Sequence, residues 1–278
     1  MAERNQMKLT AKKNFFVELR SSYADFTEAF ARFQLALNLA IQDTMARYRG
    51  SILGPWWITI TSGSLILGIG LSYTYLLRIP IEKLVPYVAV GIVSWGYMAS
   101  SISEGGESFV SSATILRQSS LPLPIFILRT MIRNIINLAH QLLIVVGVLV
   151  WFRIFPGVGI LWSLIGLVAV TVNLGWLATL VALISARFRD IPQIVSSVLQ
   201  FVFFISPIFW VVPPALEHSP FVIANPFFLG IQAIRSPLLD GGHFPALELA
   251  MLGAIGFFGW IFALVVYTVT RRRVVHYL

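Results

Sequence analysis

Charged residues vanish from six long stretches of this chain. Ile52–Leu77, Leu84–Ser103, Asn134–Phe152, Ile154–Ala186, Ile191–Leu216 and Leu249–Thr270 contain no Lys, Arg, Asp or Glu. An α-helix needs about 20 consecutive apolar residues to cross the hydrocarbon of a bilayer. The pattern predicts six membrane-spanning helices, at about 52–77, 84–103, 134–152, 158–186, 191–212 and 248–270. Such runs are long and continuous rather than short and alternating, which favours helices over a β-barrel. The expected fold is an all-α integral membrane protein, with a cytoplasmic segment over 1–50 and a transmembrane domain over 51–278.

Two elements lie outside the six spans. Asp25-Phe26-Thr27-Glu28 has the form of a capping box, and Phe26, Phe30, Phe33, Leu37 and Ile41 then recur at helical spacing. This predicts an amphipathic helix along the cytoplasmic membrane face; packing on a soluble partner is a second reading, compatible with the first. Before the last span, Pro213–Pro245 is too long and apolar for a plain connector. Its uncharged piece His218–Ile234 is too short and too interrupted by proline to span, so a re-entrant hairpin near the outer face is expected.

Composition agrees: 57% of residues are hydrophobic and 12% charged, with a mean hydropathy of +0.82. Basic residues are one-sided. Arg4, Lys8, Lys12, Lys13, Arg20, Arg32, Arg47 and Arg49 precede the first span; Arg117, Arg129 and Arg133 lie between the second and third; Arg187 and Arg189 between the fourth and fifth; Arg271, Arg272 and Arg273 after the sixth. Only Arg78, Lys83, Arg153 and Arg235 fall on the other side. The positive-inside bias puts both termini in the cytoplasm. A net charge of +8 then reflects loops facing anionic lipid headgroups, and nucleic-acid binding explains nothing further. No apolar stretch precedes Asp25, so the first span is expected to serve as the insertion signal. The absence of cysteine excludes disulfides, Cys-ligated metals and thiol nucleophiles.

Polar residues inside the spans are the candidate chemistry. On span one, Trp56, Thr59, Gly63, Ile66, Gly70 and Tyr73 follow a three-four spacing and share a face; on span five, Gln193, Ser197, Gln200, Phe204 and Pro207 do the same. Lipid-facing positions rarely carry glutamine, so these faces are candidates for a polar pathway. The competing reading is close helix packing through small and hydrogen-bonding residues. Span three carries Arg133, Asn134, Asn137, His140 and Gln141 near its cytoplasmic end, and no carboxylate inside any span partners His140 in a proton relay. His218, His243 and His276 lack metal-ligand spacing, so no metal site is expected. Beyond the N-terminal region the acids are Glu82, Glu104, Glu107, Asp190, Glu217, Asp240 and Glu248, scattered over both sides of the membrane. An integral-membrane enzyme acting on a glycolipid would cluster its carboxylates, so no catalytic residue is expected.

In Arg47-Tyr48-Arg49-Gly50-Ser51-Ile52-Leu53-Gly54-Pro55-Trp56-Trp57, arginines sit at headgroup level, glycine and proline break the helix, and tryptophans take the interface. This string resembles the entry into the first membrane helix of ABC-2 type permeases, specifically those that export polysaccharides such as O-antigen, capsule and teichoic acid chains. Three further strings agree in order and placement. Leu116-Arg117-Gln118-Ser119-Ser120-Leu121-Pro122-Leu123-Pro124 closes a cytoplasmic segment that starts at Glu104; Ser185-Ala186-Arg187-Phe188-Arg189-Asp190 looks like the turn between spans four and five; Asn225-Pro226-Phe227 with Ile234-Arg235-Ser236-Pro237-Leu238-Leu239 looks like the external hairpin.

The resemblance implies a half-transporter in the plasma (inner) membrane: a homodimer with two copies of a separate ABC ATPase subunit, moving a lipid-linked glycan. ATP and magnesium would be held by that partner and no cofactor by this chain, which has no G-x-x-x-x-G-K-[ST] phosphate loop. The resemblance further implies a coupling helix over Glu107–Arg117, between a Gly105-Gly106 break and the prolines, with Glu104, Glu107, Ser111, Thr114 and Arg117 facing the ATPase. Arg187, Arg189 and Asp190 either anchor helix ends in the headgroups or join that contact. Pro213, Asn225, Pro226, Arg235 and Pro237 would form the external gate. The alternative in the same class is an ABC-2 drug or lipid exporter.

Overall fold

A computed structural model of the protein describes residues 2–213, 219, 222 and 224–278, with backbone alone for 2–14, Leu77 and Val275. Ten helices and no strand occur among the described residues: α1 Ala2–Ala31, α2 Phe33–Arg47, α3 Trp56–Leu77, α4 Ile81–Ser111, α5 Ala113–Gln118, α6 Pro124–Trp151, α7 Gly159–Arg187, α8 Ile191–Ile205, α9 Pro226–Leu239 and α10 Ala246–Tyr277. Four of them, α4, α6, α7 and α10, are long and apolar enough to cross a membrane. Between its ends α3 has Thr59, Thr61, Ser62, Ser64, Ser72 and Thr74, which dilute its apolar run. His218 and Glu217 lie outside the described residues.

The boundaries depart from the expected ones where local chemistry overrides hydropathy. The helix expected over 191–212 ends at Ile205, because Ser206 turns extended ahead of Pro207, as residues before proline do. Fifteen residues rise about 22 Å, short of the roughly 30 Å hydrocarbon core. The Gly105-Gly106 break is also not there. Helix α4 runs through both glycines to Ser111, and a Cβ on Gly105 would stand 2.6 Å from the Ala178 Cβ, one on Gly106 2.5 Å from Val181 Cγ1. These glycines let the α4 backbone lie directly on the Ala178 and Val181 side chains of α7, the small-residue packing of membrane helices. The chain leaves α5 extended at Ser119 and turns back into helix at Leu123, ahead of Pro124 at the head of α6, where a missing N–H costs nothing.

Nor does Asp25 cap a helix. Helix α1 passes straight through it and breaks at Arg32, while the Asp25 carboxylate accepts from the Tyr267 hydroxyl at 2.8 Å and Arg271 Nη1 at 2.5 Å. Tyr267 and Arg271 lie one turn apart on α10, so this contact clips α1 to that helix. Phe26 adds edge contacts to Trp260 and Tyr267.

Helix α7 is the hub, packing on α4, α9 and α10. Its partnership with α10 is reciprocal: the Trp260 ring lies over Gly175 and the Trp176 ring over Gly259. Toward α9, a Cβ at Gly159 or Gly166 would overlap the carbonyls of Pro237 or Ala233, and Ser163 Oγ donates to Ile234 O at 2.7 Å.

Candidate functional site

The candidates expected on the cytoplasmic side come together. A cleft of about 620 Å³ is lined by Glu107, Val110, Ser111, Ser185, Arg189, Pro192 and other residues, with Tyr277 and Leu278 closing one side. It joins the end of α4 to the α7–α8 turn, two segments more than 70 positions apart in sequence. Phe109 and Leu116 are buried and anchor the segment, leaving Glu107, Val110, Ser111, Thr114, Ile115 and Arg117 exposed. Arg117 donates to the Leu278 carbonyl, and Arg187 lies 5.2 Å from the Phe188 ring centre and 5.7 Å from that of Tyr277. Arg187, Arg189 and Asp190 are all exposed. The surface is mixed: two opposite charges, hydroxyls and an apolar floor.

Glu104 points elsewhere. Its partly buried carboxylate is held by Arg47 at 3.0 Å and Arg133 at 2.8 Å.

The two candidate pathway faces differ. On α3, Ile66 is buried, the Thr59 hydroxyl donates to His140 O at 3.3 Å, a Cβ on Gly70 would stand 2.7 Å from Val85 Cγ2 and one on Gly63 3.9 Å from Ile144 Cδ1, and Tyr73 packs edge-on to Phe209. This face is turned to α4 and α6, the packing alternative of the sequence reading; Trp56, 52% exposed and edge-on to His140, stands at its rim. On α8, by contrast, Gln193, Ser197, Gln200 and Phe204 are all exposed on one face, with a shallow groove along Gln193, Ile194, Ser197, Val198 and Phe201. Ser197 spends its hydroxyl on Gln193 O at 3.0 Å, which leaves the glutamines as the outward polar groups.

The candidates expected at the outer face surround the bend after α8. Asn225 caps α9, accepting from Phe227 N at 3.0 Å and Phe228 N at 3.2 Å, with Pro226 at the first helical position. Its amide also donates to Ser206 Oγ at 2.8 Å. One face further along α9, Arg235 is 2% exposed. It donates to Pro207 O at 3.1 Å and Ile208 O at 3.0 Å, and its guanidinium carbon lies 3.7 Å from the Tyr87 ring centre. The Tyr87 hydroxyl donates to Pro207 O at 3.4 Å or Trp210 O at 3.3 Å. Among the described residues no carboxylate reaches Arg235 within ion-pairing distance. A broken helix leaves carbonyls without partners, and where they are buried these must be met by protein groups. Arg235 and Tyr87 supply those donors, and Gly91 makes the room: a Cβ there would overlap both Arg235 Nη2 and Ile208 O. Pro237 lies on α9 against Gly159, whereas Pro213 is exposed beyond the bend. In the turn after α9, partial burial raises the Asp240 carboxyl above its ordinary range, against the pull of His243 and Arg235.

Sequence reasoning missed Tyr87 and Gly91, which carry no motif, and the Tyr277–Leu278 wall, which reads as tail. Arg235 alone had a signal, an arginine inside an uncharged run.

No family model matches the chain. An O-antigen export system permease protein RfbA of Myxococcus xanthus is 26% identical over 192 residues, 66% of this chain and 71% of that protein. A protein of the same description from Klebsiella pneumoniae is 21% identical over 212 residues, 75% of this chain and 82% of that one.

Proposed function

We propose that this chain is the permease subunit of an ATP-driven ABC exporter that moves a lipid-linked, O-antigen-like polysaccharide from the cytoplasmic side across the plasma membrane. It is a transport subunit and performs no chemistry on its cargo. The similarity to O-antigen export permeases over two thirds to three quarters of the chain supports this. The observation that carries it is the cytoplasmic cleft, which gathers Glu107, Ser111 and Arg189 into one exposed surface suited to a soluble partner.

In this reading two chains form a dimer and each docks one separate ATPase subunit, which binds ATP and magnesium. Helix α3 and the unit of α8 with α9 complete six crossings, α9 being the outward half of a re-entrant hairpin, and both termini are cytoplasmic. The glycan path follows the exposed Gln193–Gln200 face of α8, with Trp56 of α3 at its entrance. Hydroxyl-rich chains need such a surface, since pyranose rings stack on aromatics and their hydroxyls seek amides. Asn225, Pro226, Arg235 and Pro237 hold the outer gate.

The test is export in a strain lacking this gene. Surface glycan should disappear while lipid-linked polymer accumulates inside, and the chain supplied with its ATPase should restore export. Restoration of a drug efflux phenotype with glycan export untouched would place the chain among drug exporters instead.

A further inference from the structure

Five charged side chains join at the cytoplasmic end of the bundle. Arg129 of α6 grips Asp43 of α2 in a fork, Nε donating to Oδ2 at 2.5 Å and Nη2 to Oδ1. The same Oδ2 accepts from Arg133 Nη1 at 3.1 Å. Through Nη2, Arg133 donates to Glu104 Oε2 of α4 at 2.8 Å, and Glu104 Oε1 accepts from Arg47 Nη1 at 3.0 Å, which returns the path to α2. The inner four side chains are 15–23% exposed. Isolated surface ion pairs contribute little, whereas a half-buried network with forked geometry holds its members in place.

What these charges join matters as much as their strength. The buried residues of α2 are Ala36, Ala40 and Thr44, so its tightest contacts with the bundle are made by small side chains. The network therefore fixes α2 to α4 and α6. Glu104 lies one helical turn before Glu107 on the same unbroken helix, so the cleft and the network share one helical segment.

We propose that Asp43 is a positioning residue for export: through Arg133 and Glu104 it makes the membrane-surface helix α2 move together with the cytoplasmic end of α4 when the ATPase pushes on the cleft. This rests on the reading of the chain as an ATPase-driven permease. It also reassigns Glu104 from the docking surface to the joint behind it.

The experiment uses the full-length chain purified with its ATPase subunit and reconstituted in proteoliposomes. Glycan moved and ATP hydrolysed are measured together for the wild type, D43N, D43R and the exchanged pair D43R/R129D. D43N should lower glycan exported per ATP on the order of tenfold, the equivalent of one lost charge-assisted hydrogen bond, with the amount of bound ATPase unchanged. D43R should be as poor or poorer. In the exchanged pair the carboxylate sits one turn from Arg133 on α6 and bridges both arginines, so the ratio should recover. A wild-type ratio in D43N overturns the proposal, as does an exchanged pair no better than D43R. So does a loss of export explained wholly by lower melting temperature at an unchanged ratio. Absence of glycan export by the wild-type complex would instead strike the permease reading itself, and it is seen before any variant is compared.

Discussion

Replacing Arg235 by methionine isolates the bend after α8. Methionine keeps most of the side-chain volume and removes the donors to Pro207 O and Ile208 O. Two opposing terms follow. A buried guanidinium without a described carboxylate partner is itself costly, and swapping buried charge for apolar bulk is often neutral or stabilising. That outcome, however, requires that the charge's partners vanish too. Here they stay: Ile208 O remains buried beside α4 with no side-chain donor, and Pro207 O keeps only the Tyr87 hydroxyl at 3.4 Å, which it shares with Trp210 O, at about 1–3 kcal/mol for each carbonyl left unmet. Loss of the contact with the Tyr87 ring adds about 1–2 kcal/mol in a desolvated setting. Allowing for relief of the buried charge, the net loss is roughly 2–4 kcal/mol. Arg235→Lys should fall between, because one ammonium lacks the planar fork that reaches both carbonyls while lying on a ring.

Melting of the purified chain in nanodiscs, followed by tryptophan fluorescence, gives the comparison. Tyr87→Phe, which deletes one hydroxyl donor, should cost about 0.5–1.5 kcal/mol. Gly91→Ala should act like Arg235→Met, since its methyl group would occupy the place of Nη2 and Ile208 O. A melting temperature for Arg235→Met equal to or above the wild type would refute the reasoning, as it would mean that the carbonyls at the bend find other donors. Stability unchanged in Gly91→Ala would show that Gly91, Arg235 and Ile208 leave room for a methyl group.

Other expectations can be checked on the same material. Exchanging the charges of the cleft in Glu107→Arg or Arg189→Glu should reduce co-purified ATPase by about tenfold or more without lowering the yield of the permease; full retention in both would remove the cleft from the docking surface. The chain alone should hydrolyse no ATP, as it has no phosphate loop, and measurable turnover would sink the transport-subunit reading. Single cysteines at Gln193, Gln200 and Phe204, in a chain with none of its own, should react with a hydrophilic thiol reagent, whereas one at Ile66 should not; equal reactivity would separate the path from α8. Gly105→Leu should prevent accumulation of folded protein, because α4 and α7 touch there through the Ala178 methyl group.

Where the amino-acid pattern has one dominant energy term, it can be read directly. The spans that became α4, α6, α7 and α10 rest on the cost of placing charge in hydrocarbon, and no neighbour alters that. The bend after Ile205 lies in an equally apolar run, so hydropathy passes over it. Pro207 marked the place, yet a proline in a membrane helix is tolerated whenever other groups satisfy the freed carbonyls, and those groups, Tyr87 and Arg235, lie in distant segments. Gly105 and Gly106 show the opposite ambiguity. Glycine breaks helices in water but permits close approach in membranes, and only the presence of Ala178 and Val181 decides between the two.

The arginines illustrate the same limit and qualify what sidedness means. Along the chain, the basic residues expected on the cytoplasmic side form a belt of headgroup anchors, and the orientation drawn from them depends on where they stand during insertion rather than on their final partners. In the folded protein Arg47, Arg129, Arg133 and Arg271 are turned to Glu104, Asp43, Asp25 and Glu18. Those carboxylates do not weaken the topological signal, because acidic residues contribute little to it. They do change who meets the membrane: Arg49, Arg187, Arg189 and Arg273 remain exposed, and of these Arg189 already lines the cleft. Weakening of lipid binding should therefore follow loss of Arg49 and Arg273, while loss of Arg129 or Arg133 should leave it nearly unchanged and act on the joint between α2, α4 and α6.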